Sequence, residues 1–335
     1  MTERPTLREV AQLSGFSIKT ISRVVNGDPN VSSDTSRRVL QAIAELGYRP
    51  NLVARSLRVG RDDAIGLVVP SISDPFFAEM ASAIEGVARD HGFFVIVSCT
   101  GEEEGAEEAV VAGLLTRQVA GLILVPTAAS QAYLARRHQA TPIVCVDRPA
   151  VDFACDAVLA DNEMGALAAT NLLLANGHRR VAFVGGPSSA YTTKLRCRGY
   201  ERALAEASIA VDPEIVHVSA ILPNEAAELV PGLLSLPEPV TALVTSNVKA
   251  TLGVVAALHK LGRTDIAMVV FDDFPLAEAM VPPVTVALGS PTEIGRKAVE
   301  LVFRRLGGDA EAPGALVEPI VLIRRGSEEL RPALS

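Results

Sequence analysis

The stretch GFSIKTISRVV, residues 15–25, decides the organisation of the N-terminal region. It follows TLREVAQLS, residues 6–14, which has the apolar spacing of a short amphipathic helix. Gly15 is suited to end that first helix, and Ser17 is suited to cap a second one. The second helix then has one apolar face for burial, which consists of Ile21, Val24 and Val25.

The flanking segments complete a unit of three helices. Thr6 and Glu9 have the spacing of a capping box, in which each side chain bonds to the backbone amide of the other residue. A third helix is expected to begin at Ser32 or Ser33 and to end at Gly47. Its buried face consists of Val39, Ile43 and Leu46. Short helices joined by tight turns, with glycine between the first two, predict a helix-turn-helix unit.

The outward face of the second helix carries side chains that its own core does not need. In a helix-turn-helix unit the second helix lies in the DNA major groove, where Lys and Arg donate to guanine and apolar groups meet the thymine methyl. A solvated helix face without a partner is the alternative interpretation, because Lys and Arg are common on exposed helices. The outward residues are Ile18, Lys19, Ser22 and Arg23.

Charge is unevenly distributed along the chain. Residues 1–61 carry ten basic and five acidic side chains, a net charge of +5, whereas the whole chain of 335 residues carries −8 and the remainder therefore −13. A basic region attracts nucleic-acid phosphates, and an acidic region is repelled by them. The distribution predicts a DNA-binding head on an acidic body.

The segment that follows the head, residues 51–58, has the pattern of a turn and a short helix with Asn51 as its cap. A helix of this length is not stable alone in water, so we expect it to fold against DNA or against its copy in a second subunit. Leu57, between Arg55 and Arg58, has no core of its own. An apolar side chain flanked by arginines suits a wedge in the minor groove.

From residue 64 onward, apolar runs alternate with helical stretches. Such alternation, with strands that are apolar throughout, predicts two parallel sheets covered by helices on both faces. Strands are expected at residues 64–69, 93–97, 122–125, 143–146, 157–160, 181–184, 215–218, 242–245 and 266–271. Helices are expected near residues 76–90, 104–118, 130–138, 162–176, 191–207, 224–235 and 249–261.

Polar residues follow the predicted strands in both series. Open parallel sheets bind ligands beyond the carboxyl ends of their strands, and carboxylates, amides and arginine there can bind several hydroxyl groups. Phe76 would add an apolar face. A turn or cap role is the alternative for each polar residue, because Asp and Asn favour these positions. The set comprises Asp74, Asp147, Arg148, Asp161, Asn162, Asn247 and Asp272.

Composition and motifs disfavour several other classes of protein. Apolar residues make up 49% of the chain and charged residues 21%, as in globular proteins, and the apolar runs are too short to cross a bilayer. The four scattered cysteines predict reduced and mostly buried thiols. No nucleotide-binding glycine motif follows a strand, and the five histidines lack metal-ligand spacing. We therefore expect a cytoplasmic protein without membrane association, enzyme activity, cofactor or metal.

Three motifs of the head occur together: T-L-R-E-V-A-Q-L-S-G-F-S-I-K-T-I-S-R-V-V-N-G, then V-S, then L-G-Y-R-P-N-L-V-A-R-S-L. With them the chain closely resembles the lactose-repressor (LacI/GalR) family of bacterial transcription regulators. The resemblance implies a homodimer on a near-palindromic DNA operator, with base readers on the second helix and Leu57 of each subunit inserted at a central base step. The predicted DNA contacts are Thr6, Ser17, Ile18, Lys19, Thr20, Ser22, Arg23, Asn26, Asn30, Asn51, Ala54, Arg55 and Leu57.

The body carries further motifs similar to those of this family: D-P-F-F-A-E, V-D-R-P, D-N-E-M-G, G-H-R-R-V-A-F-V-G-G-P, R-C-R-G-Y and F-D-D-F-P. They imply the fold of type I periplasmic binding proteins, with an effector between two lobes. The fold class is thus α/β, with an all-α helix-turn-helix headpiece and a two-lobed, doubly wound effector domain. The implied effector-binding residues are Asp74, Phe76, Asp147, Arg148, Asn162, Arg196, Asn247 and Asp272.

The resemblance also implies domain boundaries. Residues 1–49 form the DNA-binding domain, residues 50–61 the hinge helix and linker, and residues 62–331 the effector-binding and dimerisation domain. Each lobe is discontinuous, with the first at about 62–160 and 290–318 and the second at about 161–289 and 319–331.

Departures from the family pattern bear on the ligand. Val248 stands where most members have a carboxylate, while Ala190 and Ile221 replace residues of purine-responsive members. The expected effector is therefore a sugar or sugar-like polyol, which releases a repressor from its operator. A regulator that needs a corepressor and, more remotely, a solute-binding protein are the alternatives.

Overall fold

The computed structural model describes residues 5–25, 28, 30–48, 63–101, 105–137, 141–219 and 222–332. The chain divides into two compact units, Met1–Asp62 and Asp63–Ser335. Among the described residues, no helix combines the length and apolar character that a membrane span requires.

The described residues of the first unit form three short helices around a small core. These are α1 (Leu7–Ser14), α2 (Ile18–Val25) and α3 (Ser33–Leu46). Val10 of α1, Ile21 of α2 and Val39 of α3 have no exposed surface, because each lies on the apolar face of its helix. The predicted inner faces are thus confirmed, although three of their members pack only half-buried at the core's edge, namely Val25, Ile43 and Leu46.

The predicted helix ends are also present. The Thr6 hydroxyl accepts a hydrogen bond from the Glu9 amide at 3.4 Å, and the Glu9 carboxylate accepts one from the Thr6 amide at 2.5 Å. The Ser17 hydroxyl accepts from the Thr20 amide at 3.1 Å and so caps α2. Gly15 ends α1 with a φ of 76°, a left-handed conformation that side chains other than glycine rarely adopt.

The first sheet of the second unit has six parallel strands. They are β1 (Ala64–Val69), β2 (Phe94–Cys99), β3 (Gly121–Leu124), β4 (Ile143–Val146), β5 (Asp156–Ala160) and β11 (Ala315–Glu318). Their spatial order is β11-β5-β4-β3-β1-β2. The helices that cover the two faces are α4 (Pro75–Asp90), α5 (Ala106–Thr116), α6 (Leu134–Arg137) and α11 (Pro291–Leu306).

The second sheet repeats this order. Its strands are β6 (Val181–Gly185), β7 (Val216–Val218), β8 (Ala242–Thr245), β9 (Ala267–Phe271), β10 (Thr285–Gly289) and β12 (Ile320–Ile323). They lie in the order β12-β10-β9-β8-β6-β7, with only β12 antiparallel to its neighbour. The covering helices are α7 (Asn162–Ala175), α8 (Tyr191–Glu206), α9 (Pro223–Leu234) and α10 (Val248–Lys260).

Burial explains why these strands read as continuous apolar runs. Every residue of β1, β3, β4, β6, β8 and β9 is buried. Each sheet has one apolar cluster on each face, so both faces of a strand require apolar side chains. The predicted fold class, with a helical headpiece and two doubly wound lobes, is confirmed.

All the predicted strands and helices of the body are present, with small shifts at their ends. The largest change is the helix expected near residues 130–138, because α6 spans only Leu134–Arg137. Among the described residues, the sequence analysis did not predict the strands β10, β11 and β12, the helix α11, or two short 3-10 helices at Pro213–Ile215 and Ala277–Ala279.

The chain passes between the two sheets three times, at adjacent points. It leaves β5 at Ala160 and enters α7, which packs on the second sheet. It leaves β10 at Gly289 and enters α11, which packs on the first. It finally passes from β11 to β12 through Pro319. The Asp161 amide donates to the Glu318 carbonyl at 2.8 Å, which ties the first crossing to the third.

Candidate functional site

The exposed face of α2 is the candidate DNA-binding surface of the first unit. Ile18 is 46% exposed, although it is a large apolar side chain at the start of the helix. Lys19 and Arg23 are also exposed, and Ser22 is half-buried. Ile21 and Val24 occupy the opposite, buried face, so the helix separates core residues from the predicted base readers.

Arg23 does not lie free on this surface. Its Nε donates to the Asp28 carboxylate at 2.7 Å, and Asp28 also accepts from the backbone and side-chain amides of Asn30, at 2.9 and 3.0 Å. The Arg23 hydrogen bond is the largest cause that lowers the pKa of Asp28 to about 2. The structure thus joins Arg23 and Asn30, both predicted DNA contacts, through an aspartate that the sequence analysis did not single out.

The remaining predicted DNA contacts fall into two groups. Thr6 and Ser17 are helix caps, and the Thr20 hydroxyl lies 2.9 Å from that of Ser17, so these three have structural partners within the unit. The others, like the predicted hinge helix at 50–61, lie outside the described residues; they are Asn26, Asn51, Ala54, Arg55 and Leu57.

Arg196 of α8 is the centre of the candidate effector site in the second unit. Its side chain is 6% exposed, and its guanidinium donates to the Asn162 side-chain oxygen at 2.6 Å and to the Asp272 carboxylate at 3.2 Å. It also donates to the Ser246 carbonyl and stacks over the Phe271 ring, 4.1 Å from the ring centroid. These contacts fix the guanidinium at the carboxyl ends of β8 and β9.

Asp147 and Asp272 occupy equivalent positions in the two sheets. Each follows the third strand of its sheet order, β4 or β9, and each has a left-handed backbone, with φ of 66° and 64°. This conformation is uncommon for residues other than glycine and asparagine, and it turns the chain sharply at the edge where ligands bind. Asp147 in turn accepts from Arg148 at 3.2 Å.

Carboxylates of both sheets converge at this edge. Burial raises the pKa of Asp272 to about 6, and the nearby charges of Asp74 and Asp147 add to the rise, while Arg196 opposes it. Burial also raises the pKa of Asp74, against the hydrogen bond from the Phe76 amide. Since Asp74 and Asp147 follow strands of the first sheet and Asp272 follows a strand of the second, the candidate site lies between the sheets.

Several predicted site residues also cap helices. The Asp74 carboxylate accepts from the Phe76 amide at 3.1 Å at the start of α4, and Asn247 accepts from the Ala250 amide at 2.8 Å at the start of α10. Asp161 caps α7 through the Met164 amide. Each cap occupies one side-chain oxygen, so the second polar atom of Asp74 and of Asn247 is left for other partners.

Two of the predicted effector-binding residues are poorly positioned to contact a ligand directly. Phe76 is 8% exposed and packs edge-on against Phe77, so little of its ring can face a ligand. Asn162 is buried and donates to the Ala160 carbonyl at 3.1 Å while accepting from Arg196. Asn162 therefore acts on the site mainly by holding the arginine.

Three residues near the site were missed by sequence reasoning. Ser246 supplies the carbonyl that binds Arg196, Lys249 places a positive charge near Asp74, and Tyr191 is close enough to Asp147 for that carboxylate to add to the burial that raises the tyrosine pKa. Ser246 directly follows β8, so the rule that selected Asn247 could have found it. Lys249 and Tyr191 lie in first turns of helices, and their proximity arises from the tertiary fold.

The arrangement is chemically able to bind hydroxyl groups. Carboxylates and amides accept and donate at fixed points, and Arg196 adds a buried donor. In the part of the chain that the structure describes, no three His, Cys, Asp or Glu side chains are grouped so as to hold a metal ion.

Each of the two units matches a known protein family. Residues 6–51 match the family described as bacterial regulatory proteins, lacI family, and residues 62–324 match the family described as periplasmic binding proteins and sugar binding domain of LacI family. Among curated relatives, the HTH-type transcriptional repressor CytR of Escherichia coli (strain K12) is 28% identical over 331 residues, covering 98% of this chain and 97% of CytR.

Two further comparisons come from a curated relative and a solved structure. The ribose operon repressor of Haemophilus influenzae (strain ATCC 51907 / DSM 11121 / KW20 / Rd) is 29% identical, covering 97% of this chain and 99% of that protein. The crystal structure of the Lac repressor dimer bound to operator and the anti-inducer ONPF has a TM-score of 0.83 and 27% identity, covering 97% of this chain and 99% of that one. The chain belongs to the LacI family of bacterial regulatory proteins.

Proposed function

We propose that the chain is a transcriptional repressor that binds a near-palindromic operator as a homodimer and is released by a small polyhydroxylated effector. The observation that carries this proposal is the exposed face of α2, where Ile18, Lys19 and Arg23 project opposite a fully formed core. The family match over residues 6–51 and the named repressors among the relatives support it. The role places the protein in the cytoplasm, where its DNA is.

The domain boundaries of the proposal follow the predicted ones. Residues 1–49 bind DNA, residues 50–61 form the hinge, and residues 62–331 bind the effector and dimerise. The division of the structure after Asp62 and the membership of the two sheets are consistent with these boundaries.

The effector is proposed to bind between the sheets, at the edge formed by Asp74, Asp147 and Asp272. Arg196 lies on the second-sheet side of this edge with three of its contacts already fixed, so a ligand hydroxyl would meet a pre-organised donor. Carboxylates on the first-sheet side would accept from other hydroxyls of the same ligand. A ligand that bridges the sheets can change the angle between them.

Release from DNA then depends on the difference in ligand affinity between two arrangements of the lobes. A 100-fold fall in operator affinity corresponds to about 2.7 kcal/mol of coupling between the two sites. We propose that the change in lobe angle separates the two 50–61 segments of the dimer, so that they no longer fold on the minor groove. A ligand without preference for either arrangement would shift nothing.

The proposal is tested in two steps. A binding duplex is first selected from random-sequence DNA, and the protein is then screened by thermal shift against pentoses, hexoses and disaccharides, beginning with ribose. Each stabilising sugar is added to the protein–duplex complex. A repressor of the proposed kind selects a near-palindromic duplex and loses it on addition of the sugar.

Other results have distinct meanings. Tighter duplex binding with the sugar would indicate a corepressor, and failure to select any duplex would contradict the DNA-binding function itself. Arg196→Ala is expected to lose the sugar response and retain duplex binding without sugar. Loss of both by this variant would instead indicate that Arg196 is needed for folding.

A further inference from the structure

Two cysteines of the first sheet lie in contact. The sulfur atoms of Cys145 and Cys155 are 3.4 Å apart, and both side chains belong to the apolar cluster on one face of that sheet. Cys145 lies within β4, and Cys155 directly precedes β5. The other two cysteines are Cys99, which is exposed, and Cys197, which is half-buried; only Cys145 is fully buried, so the prediction of mostly buried thiols is wrong.

The separation is short enough for a covalent bond after a small movement. A disulfide has a sulfur–sulfur distance of about 2.05 Å, so the two atoms need to approach by about 1.4 Å. Strands β4 and β5 are hydrogen-bonded in parallel, with Cys145 opposite Ala157, and Cys155 lies two residues before Ala157, where the connection enters β5. Rotation of the Cys155 side chain is therefore the simplest approach.

The two thiols differ in access and acidity. Cys145 has no exposed surface, whereas Cys155 is half-buried and reachable from solvent. Contact with Cys145 lowers the pKa of the Cys155 thiol, and contact with Cys155 together with burial raises the pKa of the Cys145 thiol. This asymmetry suits Cys155 as the attacking thiolate and Cys145 as the thiol that resolves the product.

We propose that Cys145 and Cys155 form a peroxide-sensitive dithiol pair that oxidation converts into a disulfide across the β4–β5 connection. The Cys155 thiolate attacks one oxygen of hydrogen peroxide and forms a sulfenic acid, while the O–O bond breaks and the other oxygen leaves as hydroxide and is protonated to water. The Cys145 sulfur then attacks the sulfenic sulfur, forming the disulfide and releasing a second water. The two thiols lose two electrons, and the peroxide gains them.

The bond would act on the effector side of the sheet. The disulfide closes the segment between residues 145 and 155, which carries Asp147 and Arg148 at the carboxyl edge of β4. The same segment is held at its middle, where the Val151 amide donates to the Gln131 side chain and the Gln131 amide donates to the Val151 carbonyl, both at 2.8 Å. Oxidation therefore restrains a connection that already has one fixed point.

The test maps the bond directly. Reduced full-length protein is exposed to hydrogen peroxide, its free thiols are alkylated, and it is cleaved with trypsin and on the amino side of aspartate. Cleavage before Asp147 and Asp152 separates Cys145 from Cys155, which trypsin alone leaves on one peptide because Arg148 is followed by Pro149, and trypsin separates Cys99 from Cys145 at Arg117, Arg136 and Arg137. We expect a linked pair of peptides that is two hydrogen atoms lighter than the sum of the free peptides and is separated by dithiothreitol.

A second measurement follows the restraint. Amide hydrogen exchange over residues 147–155 is expected to slow on oxidation and to recover on reduction. The double variant Cys99→Ser/Cys197→Ser, which keeps the pair, should behave as the wild type. Cys155→Ser, a half-buried site where the shape is kept, should fold with an unchanged melting temperature and lose both the linked peptides and the exchange response.

Three outcomes would overturn the proposal. They are free, alkylatable Cys145 and Cys155 at peroxide concentrations that oxidise the exposed Cys99; sulfinic acid at Cys155 in place of the linked peptides; and linked peptides without any change in exchange over 147–155. None of these measurements requires the effector or the operator, so they are independent of the proposed function.

Discussion

Asp272 combines three features that seldom occur in one carboxylate: burial, a left-handed backbone and contact with a buried arginine. Its side chain is 12% exposed, and Arg196 is 3.2 Å away. Burial of the charge outweighs the attraction of the arginine, so the pKa is raised rather than lowered. The neighbouring Asp273 shows the reverse, because hydrogen bonds from Arg325 lower its pKa.

This contrast predicts opposite effects on the pH dependence of stability. The folded pKa of Asp272 is about 6 against an ordinary value of 3.8, so between these pH values the folded state binds more protons than the unfolded state. Wild-type protein is therefore expected to lose unfolding free energy relative to Asp272→Asn as pH rises from about 4 to about 6, by an amount of order 2 kcal/mol. Urea unfolding at several pH values measures the difference.

Asp273→Asn is the matched control for that experiment. Because the folded pKa of Asp273 is lowered, its contribution to stability is present above the ordinary pKa and is lost as pH falls. The difference between wild type and Asp273→Asn should therefore shrink towards low pH. Parallel curves for wild type and Asp272→Asn would contradict the raised pKa of Asp272.

Lys19 is predicted to contribute to DNA affinity and not to stability. Its side chain is exposed on α2 and contributes nothing to the core. Lys19→Ala is expected to weaken binding to the selected duplex by about 1–3 kcal/mol and to relax base preference at one position, with an unchanged melting temperature. Fluorescence anisotropy at fixed salt measures the affinity.

The control removes the same charge elsewhere. Arg202 is half-exposed on α8 and pairs with Glu206 at 2.8 Å, so Arg202→Ala leaves the head unchanged. Equal losses of duplex affinity for the two variants would show that Lys19 acts only through net charge.

The sequence predicted which residues lie at the candidate site better than it predicted the contacts among them. Asp147 and Asp272 were identified because they follow apolar strands, and the structure places them at matching points of the two sheets. That Arg196 would bind the Ser246 carbonyl and stack on Phe271 could not be predicted, because these contacts join segments 50 and 75 residues away in sequence. The bond between Arg23 and Asp28 has no pattern that distinguishes it from two solvated charges.

At the scale of elements, two helix pairs approach closely through glycine. Gly199 of α8 faces the backbone of α7, and Gly253 of α10 faces the Pro223 carbonyl at the start of α9. A β-carbon at either position would overlap main-chain atoms, which cannot move aside as a side chain can. Glycine there sets the distance between helices.

Gly253→Ala is therefore expected to lower the free energy of unfolding by about 1–3 kcal/mol, through overpacking. The control is Gly232→Ala within α9, where no atom outside the adjoining residues and the surrounding helix backbone lies within 4 Å of the added β-carbon. That substitution should raise the free energy of unfolding by about 0.4–1 kcal/mol, since alanine loses less backbone freedom on folding. Equal effects of the two substitutions in denaturant titrations would contradict the close approach.

Element prediction succeeded where burial makes the pattern simple. β1, β3 and β4 are buried along their whole length, so their apolar runs are unambiguous. β11 is mostly exposed and β12 lies at the edge of its sheet, so neither has a continuous buried run to mark it. α11 was recognisable in principle, because Ile294, Ala298 and Val302 recur on one buried face.

In the whole molecule, the head and the rest of the chain carry net charges of opposite sign. The head carries +5 and the rest of the chain −13. Duplex binding should therefore depend steeply on salt, falling by about a thousandfold or more between roughly 50 and 200 mM if six or more phosphates are contacted. Sugar binding in the second unit involves a neutral ligand and should change little over the same range.

Titration of both ligands over a salt series tests this separation. A shallow salt dependence of duplex binding would mean that few phosphates are contacted. The sugar site has three acidic side chains, Asp74, Asp147 and Asp272, and three basic ones, Arg148, Arg196 and Lys249. A steep dependence of sugar binding on salt would mean that the site carries a net charge that this balance does not include.

The three chain crossings between the sheets restrict how the second unit can be taken apart. A single cut at any crossing leaves two covalent connections, so limited proteolysis there cannot release a lobe. Neither lobe can be expressed as one continuous fragment, because each lobe takes strands from both sides of α7 or α11. For the same reason, a domain inserted at Pro319 would strain only one of the three connections between the lobes. The other two connections would keep the lobes in their relative positions.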